Sequence, residues 1–354
     1  MAISIKITKT QQSRIDTCDF DNIQFGTVFS DHMLVADYND GVWSTPEILP
    51  FQPLSLSPST FALHYGQAIF EGMKAFKTFD GKPQLFRPEE NFKRLNLSAA
   101  RMGMAQLPQD IFMQGLEELI RIDQNWIPTK EGSALYIRPF VFATDDFVGV
   151  RPAKHFKFVI FTCPVNAYYP KPLRVKVEQK YVRAFEGGAG YAKAAGNYGI
   201  SMLPTQEANQ QGFDQIIWTD GREHKYVEES GTMNVFFVLN DKTVVTPELD
   251  GTILAGITRD SAIALLKKEG YTVEERKVTV EEVVEACKNG ILTDAFGTGT
   301  AAIIAKIATL NYQGVDYHLP PVEQRKVSNW LYETLYGVQT GQINDDFGWV
   351  YPIV

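Results

Sequence analysis

The sequence predicts an α+β protein of two domains, and three observations support this. The chain of 354 residues is longer than most single domains, and its 44% hydrophobic and 21% charged composition is ordinary for a globular protein. Strand-like and helix-like segments mix without the regular alternation of a parallel α/β sheet. The stretch NAYYPKPL (166–173) lies between strand-like segments, and its two prolines indicate an extended connector. We therefore predict domains over residues 1–165 and 174–354.

Local signals define the individual elements. The Asp-Gly pair at 80–81 suits a tight turn and predicts a hairpin over 74–87. Pro88 suits the first position of a helix, and Thr279 with Glu282 forms a capping box at the start of another. The predicted helices cover residues 88–101, 108–127, 256–270, 279–290 and 322–337, and the predicted strands cover residues 134–143, 155–165, 174–184, 214–220 and 228–240.

Composition argues against several classes of function. The net charge of −8 disfavours nucleic-acid and anionic-membrane partners. Three widely separated cysteines form neither a disulfide framework nor a zinc motif, which favours a reduced, cytoplasmic location. No signal peptide or long apolar run is apparent, so we expect no membrane span. The five histidines lack metal-binding spacing, and no Walker A loop, dinucleotide fingerprint or G-x-S-x-G motif is found, so we expect no metal site.

One lysine stands in a segment of small residues, EGGAGYAKAAGNYG (186–199). A lysine amine is a nucleophile only when it is neutral, and small neighbours let the backbone and a ligand exclude water around it. Lys193 therefore has the surroundings of a Schiff-base lysine. An exposed lysine in a flexible loop fits the same segment when it is taken alone.

Two Gly/Thr turns could bind a phosphate. The segment GITRD (256–260) places a glycine before a helix whose first N–H groups point outward, and GTGTAA (297–302) offers further donors. Together with a lone lysine, they suggest a phosphorylated aldehyde cofactor, pyridoxal 5'-phosphate (PLP). Such a cofactor needs a carboxylate at its ring nitrogen. Glu228 and Glu229 are candidates, and alternation along a strand would turn only one of them inward; a solvated strand residue is the alternative role for such a glutamate.

Seven segments, in this order, resemble the branched-chain amino acid aminotransferases, which are fold-type IV (class IV) PLP-dependent enzymes. The resemblance runs over nearly the whole chain. It implies a small N-terminal α/β domain, an interdomain connector and a larger C-terminal PLP-binding domain, assembled as a homodimer. The matching segments are LHYGQAIFEGMKAF (63–76), LFRPEENFKRL (85–95), LYIRP (135–139), KAAGNYG (193–199), EESGTMNVFFV (228–238), AGITR (255–259) and FGTGTAA (296–302).

The resemblance also implies the cofactor-binding residues. Lys193 matches the lysine that forms the Schiff base and then moves the proton, so it is the catalytic residue. Glu229 matches the carboxylate at the pyridine nitrogen, and Tyr198 matches the tyrosine at the phenolic oxygen. The residues that match phosphate ligands are Arg94, Ile257, Thr258 and Thr300.

Substrate-binding residues follow in the same way. The aromatic residues that match the walls of an apolar pocket are Phe29, Tyr65, Phe70, Tyr136 and Tyr168, and core packing is the alternative role for each. Tyr169 is a second candidate beside Tyr168. Arg138 lies two residues after Tyr136, hence on the same strand face, and matches the arginine that accommodates the second carboxylate of glutamate. Thr232 and Ala301 match positions at the substrate α-carboxylate.

The implied activity is transamination between branched-chain L-amino acids and 2-oxoglutarate, which yields branched-chain 2-oxo acids and L-glutamate. A D-amino-acid transaminase or a lyase of the same fold type would use the same cofactor residues. A PLP-free Schiff-base aldolase would need only the lysine, and a binding module with a glycine-rich loop would need none of this chemistry.

Overall fold

The computed structural model describes residues 3–169, 171–240 and 242–353. These residues cluster into two compact units. Unit 1 comprises the described residues up to Tyr168, together with Ala192–Gly196 and the residues from Gly337 onward; unit 2 comprises the described residues of Tyr169–Tyr191 and Asn197–Tyr336. Unit 1 thus takes in the C-terminal residues as well. The domains predicted over 1–165 and 174–354, with their connector over 166–173, stay a prediction.

The described residues form both α-helices and β-strands, as expected for an α+β protein. The strands are β1 (Lys6–Ile7), β2 (His32–Asn39), β3 (Val42–Trp43), β4 (Glu47–Pro50), β5 (Ala68–Phe70), β6 (Met73–Lys77), β7 (Pro83–Phe86), β8 (Ala134–Ala143), β9 (Phe156–Val165), β10 (Leu173–Val177), β11 (Gln215–Thr219), β12 (Val227–Ser230), β13 (Met233–Leu239), β14 (Thr243–Thr246), β15 (Thr272–Glu275), β16 (Leu292–Gly299), β17 (Ile303–Tyr312), β18 (Val315–His318) and β19 (Val350–Pro352). The α-helices are α1 (Phe61–Tyr65), α2 (Pro88–Arg101), α3 (Gln109–Ile122), α4 (Ala195–Gly199), α5 (Met202–Gln210), α6 (Ile257–Lys268), α7 (Val280–Lys288) and α8 (Lys326–Gln339).

Unit 1 is built on one mixed sheet. Its strands follow the order β1-β4-β2-β9-β8-β6-β7-β19, with β3 added to β2 and β5 added to β8. The helix α3 buries Ile111, Phe112, Leu116 and Leu119 in the core of this unit, at the three- and four-residue spacing of one helix face. The long strands β8 and β9 pair along their whole length, and β8 carries the candidate residues Tyr136 and Arg138.

Unit 2 contains a second sheet that closes on itself. The strand order is β12-β11-β10-β17-β16-β13-β14-β15, and an additional pairing of β12 with β13 joins six of these strands into a ring. The hairpins β12–β13 and β16–β17 turn at the same end of this ring, since Asn234 near the start of β13 pairs with Thr298 near the end of β16. Closure removes exposed strand edges, and it brings the two turns close together.

Most predicted elements are confirmed, but the single strand predicted over 228–240 is wrong. It is a hairpin in which β12 and β13 pair antiparallel, because Gly231 takes a positive φ of 59° and turns the chain. The helix α2 begins at Pro88, and the side chain of Thr279 accepts a hydrogen bond from the backbone N–H of Glu282 at the start of α7. The C-terminal helix begins at Lys326, four residues later than predicted, because a short 3-10 turn over Val322–Gln324 precedes it. No helix within the described ranges combines the length and apolar character that a bilayer crossing requires.

The strand predicted over 174–184 is wrong beyond Val177. Glu178 ends it, because one of its carboxylate oxygens accepts hydrogen bonds from the backbone N–H groups of Gln179, Lys180 and Tyr181, at 3.1, 2.8 and 3.1 Å. A backbone whose N–H groups bind a local carboxylate cannot continue a ladder. The alternating pattern of the sequence continues past this point, but the strand does not.

Candidate active site

Lys193 is tied into unit 1 by its backbone. Its carbonyl oxygen accepts a hydrogen bond from the N–H of Phe70 at 3.1 Å, and its own N–H donates to Ser98 Oγ at 2.9 Å. The next residue, Ala194, forms an isolated bridge with Ile69 of β5. The Lys193 Nζ lies 4.9 Å from the centroid of the Phe70 ring. The half-buried lysine is therefore held in place by strand-like contacts, and the alternative of a flexible surface loop is not supported.

A second cation flanks the same ring. The Cζ atom of Arg138 lies 4.6 Å from the Phe70 centroid, and its Nη2 donates to the Tyr136 hydroxyl at 2.9 Å. Tyr136 and Arg138 share a face of β8, as predicted from their spacing. Gly72 makes room for this arrangement, because a Cβ there would lie 2.2 Å from the Tyr136 hydroxyl oxygen. An amine, a guanidinium, a phenol and an apolar ring thus meet within one unit.

The aromatic contacts extend this group. Tyr168 packs edge-on against Phe25 with centroids 4.9 Å apart, and Phe25 packs against Tyr136 at 5.1 Å. Burial raises the pKa of the Tyr168 phenol, with a further increase from Tyr136 and a smaller decrease from Arg138. Tyr168 therefore contacts the predicted group. Tyr169 instead lies in unit 2, where its hydroxyl accepts a hydrogen bond from Gln215 Nε2 at 3.1 Å.

Two predicted pocket residues lie apart from these contacts. Phe29 stacks on Phe51 at a centroid distance of 4.8 Å. Tyr65, at the end of α1, is 38% exposed and packs on Phe61 at 4.6 Å. Phe29 is half-buried and also packs edge-on against Phe161 at 5.5 Å, and its assignment to the pocket wall stays a prediction. The contacts of the described chain give Tyr65 no substrate role, and its assignment stays a prediction.

Arg94 makes a bidentate ion pair with Glu71. Its Nε and Nη2 lie 2.8 Å from the two carboxylate oxygens, and Asn91 Nδ2 donates to the same carboxylate at 2.8 Å. Burial of the Glu71 carboxyl raises its pKa, but Arg94, Lys193 and Asn91 outweigh burial and hold the pKa below its usual value. The carboxylate consequently stays ionised, and it fixes the orientation of the arginine on α2. The Glu71–Arg94 pair also lies near enough to Lys193 for their charges to interact.

Both carboxylates of β12 are buried, and the prediction that only one of them faces inward is wrong. Glu228 and Glu229 are each 3% exposed. Glu229 Oε2 lies 3.0 Å from Arg183 Nε, and its Oε1 accepts from the N–H of Leu254 at 2.8 Å. Glu228 is instead bound by Thr252, whose hydroxyl donates to Oε1 at 2.6 Å. Strand alternation does place the two side chains on opposite faces, but protein covers both faces.

The helix α6 presents its N-terminus without a side-chain cap. Its N–H groups at Ile257 and Thr258 are among those that a helix cannot satisfy internally, so the end attracts an anion. Gly256 precedes it, and a Cβ there would lie 2.0 Å from Asn234 Oδ1. Only glycine allows this approach of the helix end to β13. The predicted phosphate donors Ile257 and Thr258 therefore lie in the first turn of an uncapped helix, and their role stays a prediction.

The remaining predicted residues of unit 2 lie on turns and on a short helix. Thr300 and Ala301 form the turn between β16 and β17, and Thr232 lies in the turn between β12 and β13. These are the two turns at the same end of the ring. Beside them, the Thr298 hydroxyl is buried with no hydrogen-bond partner among the described residues. Tyr198 is half-buried on α4. An orphaned hydroxyl beside two turns and a carboxylate held by an arginine fit a phosphorylated pyridine.

Three contributors were missed at the level of sequence. Glu71 belongs to a segment used for the resemblance, but no local signal shows that it pairs with Arg94. Arg183 was taken as a strand residue, and its Nη2 in fact donates to the carbonyl oxygens of Gly190, at 3.1 Å, and Thr252. Phe25 lies in a polar stretch without periodicity. In the described ranges, no three His, Cys, Asp or Glu side chains come together as a metal site.

Comparison with known proteins identifies the family. The sequence profile described as "Amino-transferase class IV" matches residues 68–304. The chain is 46% identical to branched-chain-amino-acid aminotransferase 2 of Bacillus subtilis, over 99% of this chain and 97% of that protein. It is 40% identical to the branched-chain-amino-acid aminotransferase of Mycolicibacterium smegmatis, over 93% and 92% of the two chains.

Solved structures agree with these sequence relatives. The branched-chain amino acid aminotransferase of Escherichia coli superposes with a TM-score of 0.75 at 26% identity, over 92% of this chain and 99% of that chain. The branched-chain amino acid aminotransferase of T.th., crystallised with pyridoxamine 5'-phosphate, gives a TM-score of 0.72 at 26% identity, over 90% and 98%. The fold is accordingly that of fold-type IV enzymes. The chain belongs to the class IV aminotransferases and, within them, to the branched-chain amino acid aminotransferase family.

Proposed function

We propose that the protein transfers the amino group of leucine, isoleucine or valine to 2-oxoglutarate, with PLP as its cofactor. One observation carries the proposal. The Phe70 ring has the Lys193 amine 4.9 Å from its centroid and the Arg138 guanidinium carbon 4.6 Å from it. A nucleophilic amine, an apolar surface and a carboxylate-binding group are what a transaminase of apolar amino acids needs around one substrate.

The residues proposed for the cofactor carry groups that suit its separate parts. Arg94, oriented by Glu71, and the N-terminus of α6 would bind its phosphate, with Thr300 as a further donor. Tyr198 would bind its phenolic oxygen, and Glu229 would bind its ring nitrogen. When bound, PLP supplies an aldehyde for amine capture and a ring that accepts electrons from the substrate Cα.

Lys193 is the proposed catalytic residue. Its backbone is fixed by the bonds to Phe70 and Ser98, so the amine can move on its flexible stem while its point of attachment stays still. The amine would hold the cofactor at rest and then carry the proton to and from the substrate Cα. Arg183 favours an ionised Glu229, because an adjacent guanidinium stabilises a buried carboxylate.

Substrate selection would rest on the aromatic group of unit 1. Phe70, Tyr136 and Tyr168 offer apolar surface, and burial of a branched side chain there is worth roughly 0.8 kcal/mol per CH₂. Arg138 would bind the second carboxylate of glutamate, while Thr232 and Ala301 would bind the α-carboxylate. Because one methylene changes binding by only about 1–3 kcal/mol, we expect all three branched-chain amino acids to react.

The assignment of Lys193 is tested by Lys193→Ala. We expect loss of turnover with L-leucine and 2-oxoglutarate, and loss of the visible absorbance of lysine-bound cofactor. Lys180→Ala, which removes an exposed lysine of the same charge, is the control and should keep both. A Lys193→Ala protein that keeps colour and turnover would show that another amine does this work.

Two assays separate the alternatives. Turnover of D-leucine in place of L-leucine would identify a D-amino-acid transaminase, and release of product without a 2-oxo acid acceptor would identify a lyase. The PLP-free aldolase and the binding module both predict a colourless protein, so a visible spectrum of the purified chain distinguishes them from a PLP enzyme.

We also propose a cytoplasmic homodimer. The free state of Cys18, Cys163 and Cys287 supports a reducing compartment. Light scattering coupled to size exclusion gives the oligomeric state, and a mass of one chain would exclude the dimer. Fractionation of cells with an antibody to the chain would test the location.

A further inference from the structure

Unit 2 contains a cavity of about 440 Å³ on the face of β12 that carries Glu228. Its lining includes six carboxylate side chains and two basic ones. None of the residues proposed above for cofactor or substrate lines it. Its size falls within the range of small-molecule sites, about 300–1,000 Å³. The cavity therefore needs an explanation of its own.

Glu228 lies in the wall of this cavity with one oxygen unpartnered. The side chain is 3% exposed, Oε1 accepts from the Thr252 hydroxyl, and Oε2 has no hydrogen-bond partner among the described residues. Buried carboxylate oxygens are nearly always paired, because an unpaired one loses its hydration without compensation. An unpartnered oxygen beside an open cavity points to a donor that comes from a ligand.

A second carboxylate competes for the same hydroxyl. Thr252 Oγ1 lies 2.6 Å from Glu228 Oε1 and 2.7 Å from Asp250 Oδ1. A hydroxyl has one proton, so it can donate to only one of these oxygens at a time. Both carboxylates line the cavity. Asp250 is exposed and its Oδ1 also accepts from the Thr252 backbone N–H at 3.1 Å, so the hydroxyl can serve Glu228 and the oxygen left without a partner is Glu228 Oε2.

Other charges in the lining are largely engaged. Asp220 accepts hydrogen bonds from backbone N–H groups, including those of Glu223 at 2.9 Å and Tyr226 at 2.7 Å. Arg222 pairs with Glu186. Lys277, the other basic residue, places its Nζ 5.3 Å from the centroid of the Tyr226 ring. The remaining carboxylates of the lining are Glu228, Asp250, Glu223 and Glu248, and of these four Glu228 alone is buried.

We propose that this cavity binds a small organic cation with N–H donors, an alkylammonium or an alkylguanidinium, through Glu228 and Asp250. A directional N–H group would satisfy Glu228 Oε2 while the charge of Asp250 attracts the cation, and the rings of Tyr226 and Phe185 would face the alkyl part. A metal ion fits less well, since no three acidic, histidine or cysteine side chains of the described chain converge on one point. The proposal does not depend on the catalytic roles assigned above.

Isothermal titration of the PLP-loaded protein tests this directly. Ethylguanidinium and ethylammonium are the two probes, each in sodium phosphate at about pH 8. Ethylguanidinium stays protonated and is not a nucleophile, so it reports on the cavity without reacting at the aldehyde. We expect saturable binding of one or both probes with one site per chain. Tetramethylammonium and potassium, which have no N–H donors, should bind at least tenfold more weakly.

Matched variants locate the site. Glu228→Gln keeps the shape and the bond from Thr252 but loses the charge, and Asp250→Asn does the same for its partner. Each should weaken binding at least tenfold, whereas Glu131→Gln, at an exposed position, should change it less than twofold. Melting curves establish that the variants fold. Three results would overturn the proposal: no saturable binding of either probe, a wild-type affinity in both Glu228→Gln and Asp250→Asn, or potassium binding as tightly as the probes.

Discussion

Replacing Glu228 by glutamine is expected to make the stability of the protein less dependent on pH. Burial raises the pKa of the Glu228 carboxyl to about 7, from a usual value of 4.5, and this outweighs the lowering by Thr252 and Arg183. Between these two values the folded protein keeps a proton that the unfolded chain has released. Stability from this group is fully present below about pH 4.5 and is lost as the pH rises through about 7.

The size of the effect follows from the pKa difference. Where the folded and unfolded states differ by one bound proton, the free energy of unfolding changes by about 1.4 kcal/mol for each pH unit. Between pH 5.5 and pH 7, the contribution of Glu228 should therefore fall by about 2 kcal/mol. Glutamine has no proton to lose. The wild-type protein should lose about 2 kcal/mol relative to Glu228→Gln over this interval, whatever other groups titrate in both proteins.

Urea unfolding followed by far-UV circular dichroism at pH 5.5, 6.25, 7 and 8 measures this difference. Urea is required, because guanidinium could occupy the cavity, and the buffers must contain no amine. Glu131→Gln serves as the control for the loss of an exposed carboxylate. A wild-type-minus-variant difference that stays constant within about 0.5 kcal/mol would refute the reasoning, since it would mean that Glu228 titrates alike in both states.

Three further substitutions test other parts of the structure by urea unfolding or cofactor titration. Glu71→Ala leaves the Arg94 guanidinium buried without its carboxylate and should cost about 3–5 kcal/mol of stability; a loss below about 1 kcal/mol would mean that water replaces the pair. Thr279→Ala removes the cap of α7 and should cost about 1 kcal/mol, with Thr279→Ser restoring most of it. Gly256→Ala drives a methyl group into Asn234 Oδ1, so it should cost about 1–3 kcal/mol and weaken PLP binding, and unchanged PLP affinity would argue against a phosphate at the start of α6.

The elements that the sequence predicts well are those with a local physical cause. Pro88 begins α2 because a proline fits only the first turn, and Thr279 begins α7 because its hydroxyl can reach an orphan N–H. The strand past Val177 was predicted wrongly. Apolar and polar residues continue to alternate in the sequence there, but the Glu178 carboxylate accepts hydrogen bonds from the backbone N–H groups of the next three residues. A periodic pattern records which side chains could face a core, not whether the backbone stays extended.

In the candidate site, too, residues with a local signal in the sequence could be predicted and residues without one could not. Arg94, Lys193 and Arg138 carry chemistry that is visible in their residue types and segments. Their partners are less visible, because Glu71 stands 23 residues from Arg94 in the sequence and only the fold brings the two together. Arg183 lies far before Glu229 in the sequence and was taken for a strand residue. Ion pairs between distant residues leave no local signal, so the groups that orient a site are the hardest part of it to predict.

The two consecutive carboxylates of β12 are both buried, but the charged and polar groups beside them differ. Glu229 lies beside the Arg183 guanidinium, which stabilises negative charge. Glu228 has only a hydroxyl at 2.6 Å and a second carboxylate that competes for it, so burial favours its neutral form near neutral pH. The Asp250 charge and the Glu229 charge further raise the pKa of the Glu228 carboxyl. Arg183 further donates to the carbonyl oxygen of Thr252, the residue that binds Glu228. Within unit 2, Thr252 and Arg183 thus link the neighbours of Glu228 to those of Glu229, so the substitution at Glu228 is best read by its pH dependence rather than by its effect on any one contact.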